Sequence, residues 1–137
     1  MDAVFQSLTV GLPVLMLHLL TAGVVLGVGI VIYVRLTPHR EIELIRQGNI
    51  AASISLGAAI VGLAIPVSVT LATGINVTDI AIWGAATLVL QLLLFQLTDL
   101  VLRGLPKRIA DGEIATASLL ASIKIAGSIL LGAALVG

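Results

Sequence analysis

Lys124 stands inside an otherwise apolar run from Ile114 to Val136. An ammonium group in the middle of a hydrocarbon layer is costly, so it calls for a partner, a water-filled cavity or a task. Two further polar candidates stand away from the ends of apolar runs: Gln91 in Ile80–Leu102 and His18 in Leu12–Val34. Lys124, Gln91 and His18 could cluster within one chain or between chains and form a polar constriction. In an oligomer, a ring of lysines would repel cations and favour anions. The plainer alternative is inter-helical hydrogen bonding, worth about 1 kcal/mol per bond. Gln91 and His18 fit that description better, whereas Lys124 fits both. None of the runs places a carboxylate beside Lys124, which speaks against a buried acid–base relay.

The usual signatures of catalysis are missing. The chain has no HExxH, no paired-carboxylate motif and no nucleophile elbow, and its polar connections are too short to form a soluble domain. It contains no cysteine and two histidines, His18 and His39, too few for a histidine cage from one chain. The expectation is therefore no catalytic residues, no metal, no cofactor and no enzymatic activity. Net charge is zero, so no long-range field recruits nucleic acid.

These residues must be held by membrane helices. Of 137 residues, 59% are hydrophobic and 10% charged, against about 25% charged in a soluble domain. Four apolar segments are long enough to cross a bilayer: Leu12–Val34, Asn49–Ala72, Ile80–Leu102 and Ile114–Val136. Lipid cannot satisfy bare backbone groups, so the segments are helices despite their valine and isoleucine content. The N-terminus lacks a basic region and its apolar run is longer than that of a signal peptide, so the expectation is that it stays as a span. The fold class is all-α, a polytopic membrane protein forming a single membrane domain.

Arg35, Arg40 and Arg46 fall in or beside the first connection, and Arg103, Lys107 and Arg108 in the second. The termini and the loop from Thr73 to Asp79 carry no lysine or arginine. The positive-inside rule therefore places both basic connections in the cytoplasm and both termini outside. Trp83 then lies near the outer interface and Tyr33 near the inner one. In the first connection, Thr37 is expected to cap a short interfacial helix with Pro38 at its first position. That helix would carry Ile42 and Ile45 on one side and close at Gly48, after which Asn49 caps the second span. Arg40, Arg46, Lys107 and Arg108 are the candidate docking residues for a cytoplasmic partner.

A shift of 64 residues carries Ile45 onto Ile109, Gly48 onto Gly112, Ile50 onto Ile114, Ala51 onto Ala115 and Leu56 onto Leu120. Each unit reads span, basic connection, span, over roughly 12–72 and 80–136. Two such units have the same orientation, so they are expected to be parallel repeats about an axis along the membrane normal. The same shift equates Arg35 with Asp99, which predicts similar depth and a pair across the repeat. The alternative is that each reaches water separately. Pro66 removes a donor to Gly62 and predicts a kink. Gly23 and Gly27 form a GxxxG, and Ala58 and Gly62 repeat its spacing, which predicts close helix packing. The small faces outnumber what four helices need among themselves, so a homo-oligomer in the lipid bilayer is expected.

The stretch Leu36-Thr-Pro-His-Arg-Glu-Ile-Glu-Leu-Ile-Arg-Gln-Gly-Asn-Ile-Ala-Ala-Ser, followed by Gly62-Leu-Ala-Ile-Pro66 and Trp83-Gly-Ala, resembles the YjfL family of small bacterial inner-membrane proteins. The resemblance implies a paired domain of unknown function in the bacterial cytoplasmic membrane. It also implies an envelope role, since members tend to be encoded near PspA-like envelope-stress proteins and ATP-grasp ligases. Glu113 departs from the pattern, standing where the first unit has Asn49. The reading that follows is a non-enzymatic membrane component that docks cytoplasmic or envelope-stress partners. The competing reading is a small oligomeric channel or transporter constricted near Lys124 and Gln91.

Overall fold

The computed structural model describes residues 1–37 and 40–137. The described residues form six helices and no strand: α1 (Asp2–Leu36), α2 (Glu41–Arg46), α3 (Ile50–Thr73), α4 (Val77–Val101), α5 (Leu105–Ala110) and α6 (Ile114–Val136). Four of them, α1, α3, α4 and α6, are long and apolar enough to cross a membrane. α1 begins ten residues before the expected span and, at 35 residues, is about 52 Å long, well beyond a hydrocarbon core.

α3 and α6 pack together most extensively, while α1 and α4 pack on each other and on α3. The central core joins Tyr33, Ala59, Leu63, Leu88, Leu92 and Phe95. A second core, at the end carrying the short helices, joins Ala51, Ala52, Ile109, Ala117 and Leu120. α1 is the least embedded helix, burying only Ala22, Gly29 and Tyr33.

The local signals at the helix ends explain where they stop. α2 closes at Gly48, whose φ of 85° suits a residue without a Cβ. The Gly48 amide donates to Ile45 O at 2.9 Å and the Asn49 amide to Leu44 O at 2.9 Å. α5 closes the same way: Gly112 has φ 86°, its amide reaches Ile109 O at 2.9 Å, and the Glu113 amide reaches Arg108 O at 3.0 Å. α5 was not expected from the sequence, although it is six residues long like α2 and starts 64 positions later.

The two spans that follow are started differently. Asn49 accepts from the Ala52 amide at 3.0 Å, the expected cap. Its Nδ2 also donates to Ile109 O at 3.2 Å and Ala110 O at 3.1 Å, tying the start of α3 to the end of α5. Glu113 makes no side-chain cap. It accepts from Arg108 Nε at 2.8 Å, and Arg108 holds its carboxyl below the usual carboxylate range. Asn49→Ala should therefore destabilise the protein by about 2 kcal/mol, from the lost cap and two orphaned carbonyls. Asn49→Asp, which keeps the cap and cannot donate, should fall between the two in detergent unfolding monitored by circular dichroism.

The first connection departs from expectation at its start. Pro38 and His39 lie outside the described residues. The Thr37 hydroxyl donates back to Tyr33 O at 2.7 Å at the end of α1, and Arg40 occupies the N-cap of α2. Leu44 and Ile45 pack on the second core, while Ile42 stays 44% exposed. α3 runs through the buried Pro66 without interruption.

Candidate functional site

The polar centre of the bundle forms around Lys124, which is 2% exposed. In a helix the Cα–Cβ bond tilts toward the N-terminus. Lys124 on α6 therefore leans toward the end that carries the short helices, and Asp99, near the end of the antiparallel α4, leans back to meet it. Lys124 Nζ lies 3.1 Å from Asp99 Oδ1 and 3.5 Å from Oδ2. It also donates to the Tyr33 hydroxyl at 3.3 Å. The rings of Tyr33 and Phe95 meet edge to face, centroids 5.7 Å apart, and the ammonium lies 5.1 Å from each centroid. Their π faces attract the cation, adding to the ion pair.

From Tyr33 the chain of polar groups turns toward α2. The Tyr33 hydroxyl donates to Glu41 Oε1 at 3.3 Å, and Ser55 Oγ on α3 donates to the same oxygen at 2.8 Å. Glu41 is 1% exposed, a carboxylate at the first position of a short connecting helix yet drawn into the core. On the other side of Lys124, Gln91 Nε2 donates to Ser128 Oγ at 2.8 Å, and Ser128 donates to the Lys124 carbonyl at 2.8 Å. Gln91 Oε1 is buried and has no partner among the described residues.

Two expectations change here. The sequence places no carboxylate beside Lys124, yet Asp99 stands against its ammonium. The expected Arg35–Asp99 pair is not among the ion pairs of the described residues, and Arg35 is exposed at the end of α1. Equivalence under the shift gives similar depth. It does not make two side chains face each other.

Gln91 and Lys124 do come together, through Ser128. His18 does not join them: it is half-buried on α1, fifteen residues and about 22 Å of helix from Tyr33. Tyr33 is a core residue at 1% exposure, whereas Trp83 is 57% exposed, as a residue at a lipid boundary can be. Ala58 and Gly62 are buried contacts of α3. Gly23 and Gly27 are exposed, with open space where a Cβ would stand.

Among the candidate docking residues, Arg40 lies 3.9 Å from Glu43, Arg108 binds Glu113, and Arg46 and Lys107 are exposed. The described residues hold no group of acidic or histidine side chains that could bind a metal. Chemically, the site is a continuous line of donors and acceptors joining α1, α2, α3, α4 and α6. Tyr33, Glu41 and Ser55 went unnoticed in the sequence as its members. The four-residue spacing of Gln91, Phe95 and Asp99 on α4, and of Lys124 and Ser128 on α6, is a legible signal, whereas Glu41 stands on a different helix from Tyr33 and carries none.

A family model described as Domain of Unknown Function (DUF350) matches residues 7–135. The chain is 33% identical over 98 residues to the UPF0719 inner membrane protein YjfL of Escherichia coli K12, covering 72% of this chain and 74% of that protein. The YjfL protein of Escherichia coli O157:H7 matches with the same figures. No solved structure matches.

Proposed function

The chain belongs to the DUF350 family, as a multi-pass inner-membrane protein of the YjfL kind, and from that premise we propose that it is a non-enzymatic docking component of the bacterial envelope. Its two basic connections face the cytoplasm, with Arg40, Arg46, Lys107 and Arg108 presented to a cytoplasmic or envelope-stress partner. Both termini lie outside. The observation that carries this reading is Glu41. A connecting helix of six residues cannot hold its own shape, yet α2 is fastened to the membrane core through Glu41, Tyr33 and Lys124. That attachment presents Arg46 and the N-cap residue Arg40 on a fixed surface.

We read the architecture as two parallel repeats within a single domain, with α2 and its counterpart α5 lying at the interface. The matched lengths and matched closing hydrogen bonds of α2 and α5 support this. We read the assembly as a homo-oligomer through α1, whose Gly23 and Gly27 face outward from the bundle. A channel lined by Lys124 between subunits is less well supported, because the ammonium points into its own bundle and is neutralised there by Asp99.

The cysteine-free chain permits a direct test. Arg40→Cys and Lys107→Cys should be labelled by a membrane-impermeant maleimide only after the inner membrane is opened, and Asn76→Cys before. A photo-crosslinker at position 43 should capture a cytosolic protein, and charge reversal at Arg40, Arg46, Lys107 and Arg108 should abolish that capture. External labelling at 40 or 107, or a liposome conductance that changes with Lys124→Leu, would overturn the reading.

A further inference from the structure

A cleft of about 800 Å³ opens between the end of α1 and α2. Arg35, Arg40 and Arg46 are among its lining residues. Two carboxylates belong to the same wall, and the structure disposes of them differently. Glu41 is turned into the core, where Tyr33 and Ser55 bond it. Glu43 remains at the opening, 3.9 Å from Arg40, with both side chains mostly exposed, a contact worth little in water. Three arginines against Glu43 leave the opening with a net positive charge. Val34 and Ile42 line it as well, and Val34 ends the apolar stretch of α1, so the cleft sits where hydrocarbon gives way to water.

Guanidinium groups match phosphate oxygens in a fixed fork and stay charged at any physiological pH. Three of them beside an apolar wall, at the edge of a span, make a site with two halves. We propose that this cleft binds the headgroup phosphate of an anionic phospholipid, with Arg35, Arg40 and Arg46 on the phosphate and Val34 and Ile42 against the glycerol and first acyl carbons. The inference rests on the reading that the first connection lies at a membrane surface. It does not depend on a protein partner, so failure of the docking reading leaves it standing.

The test uses the full chain purified in detergent, exposed to phosphatidylglycerol or phosphatidylcholine, with retained lipid counted by native mass spectrometry. The wild-type protein should retain phosphatidylglycerol over phosphatidylcholine by on the order of tenfold or more. The triple variant R35Q/R40Q/R46Q should lose that preference while keeping its helical circular dichroism. Arg46→Gln alone, at an exposed position, should lower it by roughly threefold. K107Q/R108Q, on the other connection, should retain it in full. No preference in the wild type, an unchanged preference in the arginine variants, equal loss in K107Q/R108Q, or displacement of the lipid by inorganic phosphate would each overturn the proposal.

Discussion

Asp99→Leu should destabilise the bundle by about 3–5 kcal/mol, the loss expected when one partner of a buried ion pair is removed. The cause is the charge left behind. Lys124 has a side chain only 1% exposed and no other carboxylate beside it within bonding distance among the described residues. Tyr33 and Phe95 offer it π faces, which are worth about 0.5–2 kcal/mol and cannot replace a carboxylate. The reciprocal change, Lys124→Met, should cost less. Asp99 is 16% exposed, near the end of α4, and can recruit water once its partner is gone. The double variant Asp99→Leu/Lys124→Met should recover most of the loss, because an apolar pair leaves no charge to desolvate. Thermal unfolding in detergent, followed by circular dichroism, gives all four corners of the cycle. Losses that simply add would mean that the two side chains do not act as a unit.

The distinction matters for function as well as stability. If the pair were only glue, the double variant would behave as wild type in every respect. If α2 is held in position through Glu41, Tyr33 and Lys124, the double variant should unfold normally yet lose cross-linking from position 43, because Tyr33 no longer has an ammonium to orient it.

The spans were legible because length and lack of charge suffice to identify them. Asn49 was legible as a cap because its type and place before an apolar run leave little else for it to do. Asp99 was visible in the sequence, but Lys124 was not legible there as its partner. The shift of 64 residues equates it with Arg35 and leaves open whether the two pair or reach water separately. Contact was decided instead by the opposite tilts of side chains on two antiparallel helices, which the sequence carries only once the neighbours are known. Glu41 was hidden for a related reason. A glutamate among arginines and isoleucines in a polar connection reads as a solvated residue, and its burial depends on where Tyr33 and Ser55 stand in two other helices. α5 could have been found. The shift that carries Gly48 onto Gly112 also carries α2 onto Leu105–Ala110.

Small residues divide by the same logic, and Gly62 tests it. A Cβ built at Gly62 would stand 2.7 Å from Ser128 Oγ and 2.8 Å from Phe95 Cζ, whereas at Gly57 it would meet nothing within 4 Å. Both glycines lie inside α3, where alanine is the better helix former by about 1 kcal/mol. Gly57→Ala should therefore stabilise the protein by up to that amount. Gly62→Ala should gain nothing, since the propensity is offset by pushing Ser128 or Phe95 aside. Gly62→Leu should cost about 3 kcal/mol, the upper end for overpacking a closed core. The damage would not stay local. Ser128 holds the Gln91 amide and caps the Lys124 carbonyl, and the Phe95 ring touches both Tyr33 and the ammonium. Displacing either loosens the charged centre from below. Gly62→Leu should consequently be non-additive with Asp99→Leu, the second substitution costing less once the first has opened the site. Full additivity would mean that the α3–α6 contact and the ion pair are independent, and that the close approach at Gly62 serves packing alone.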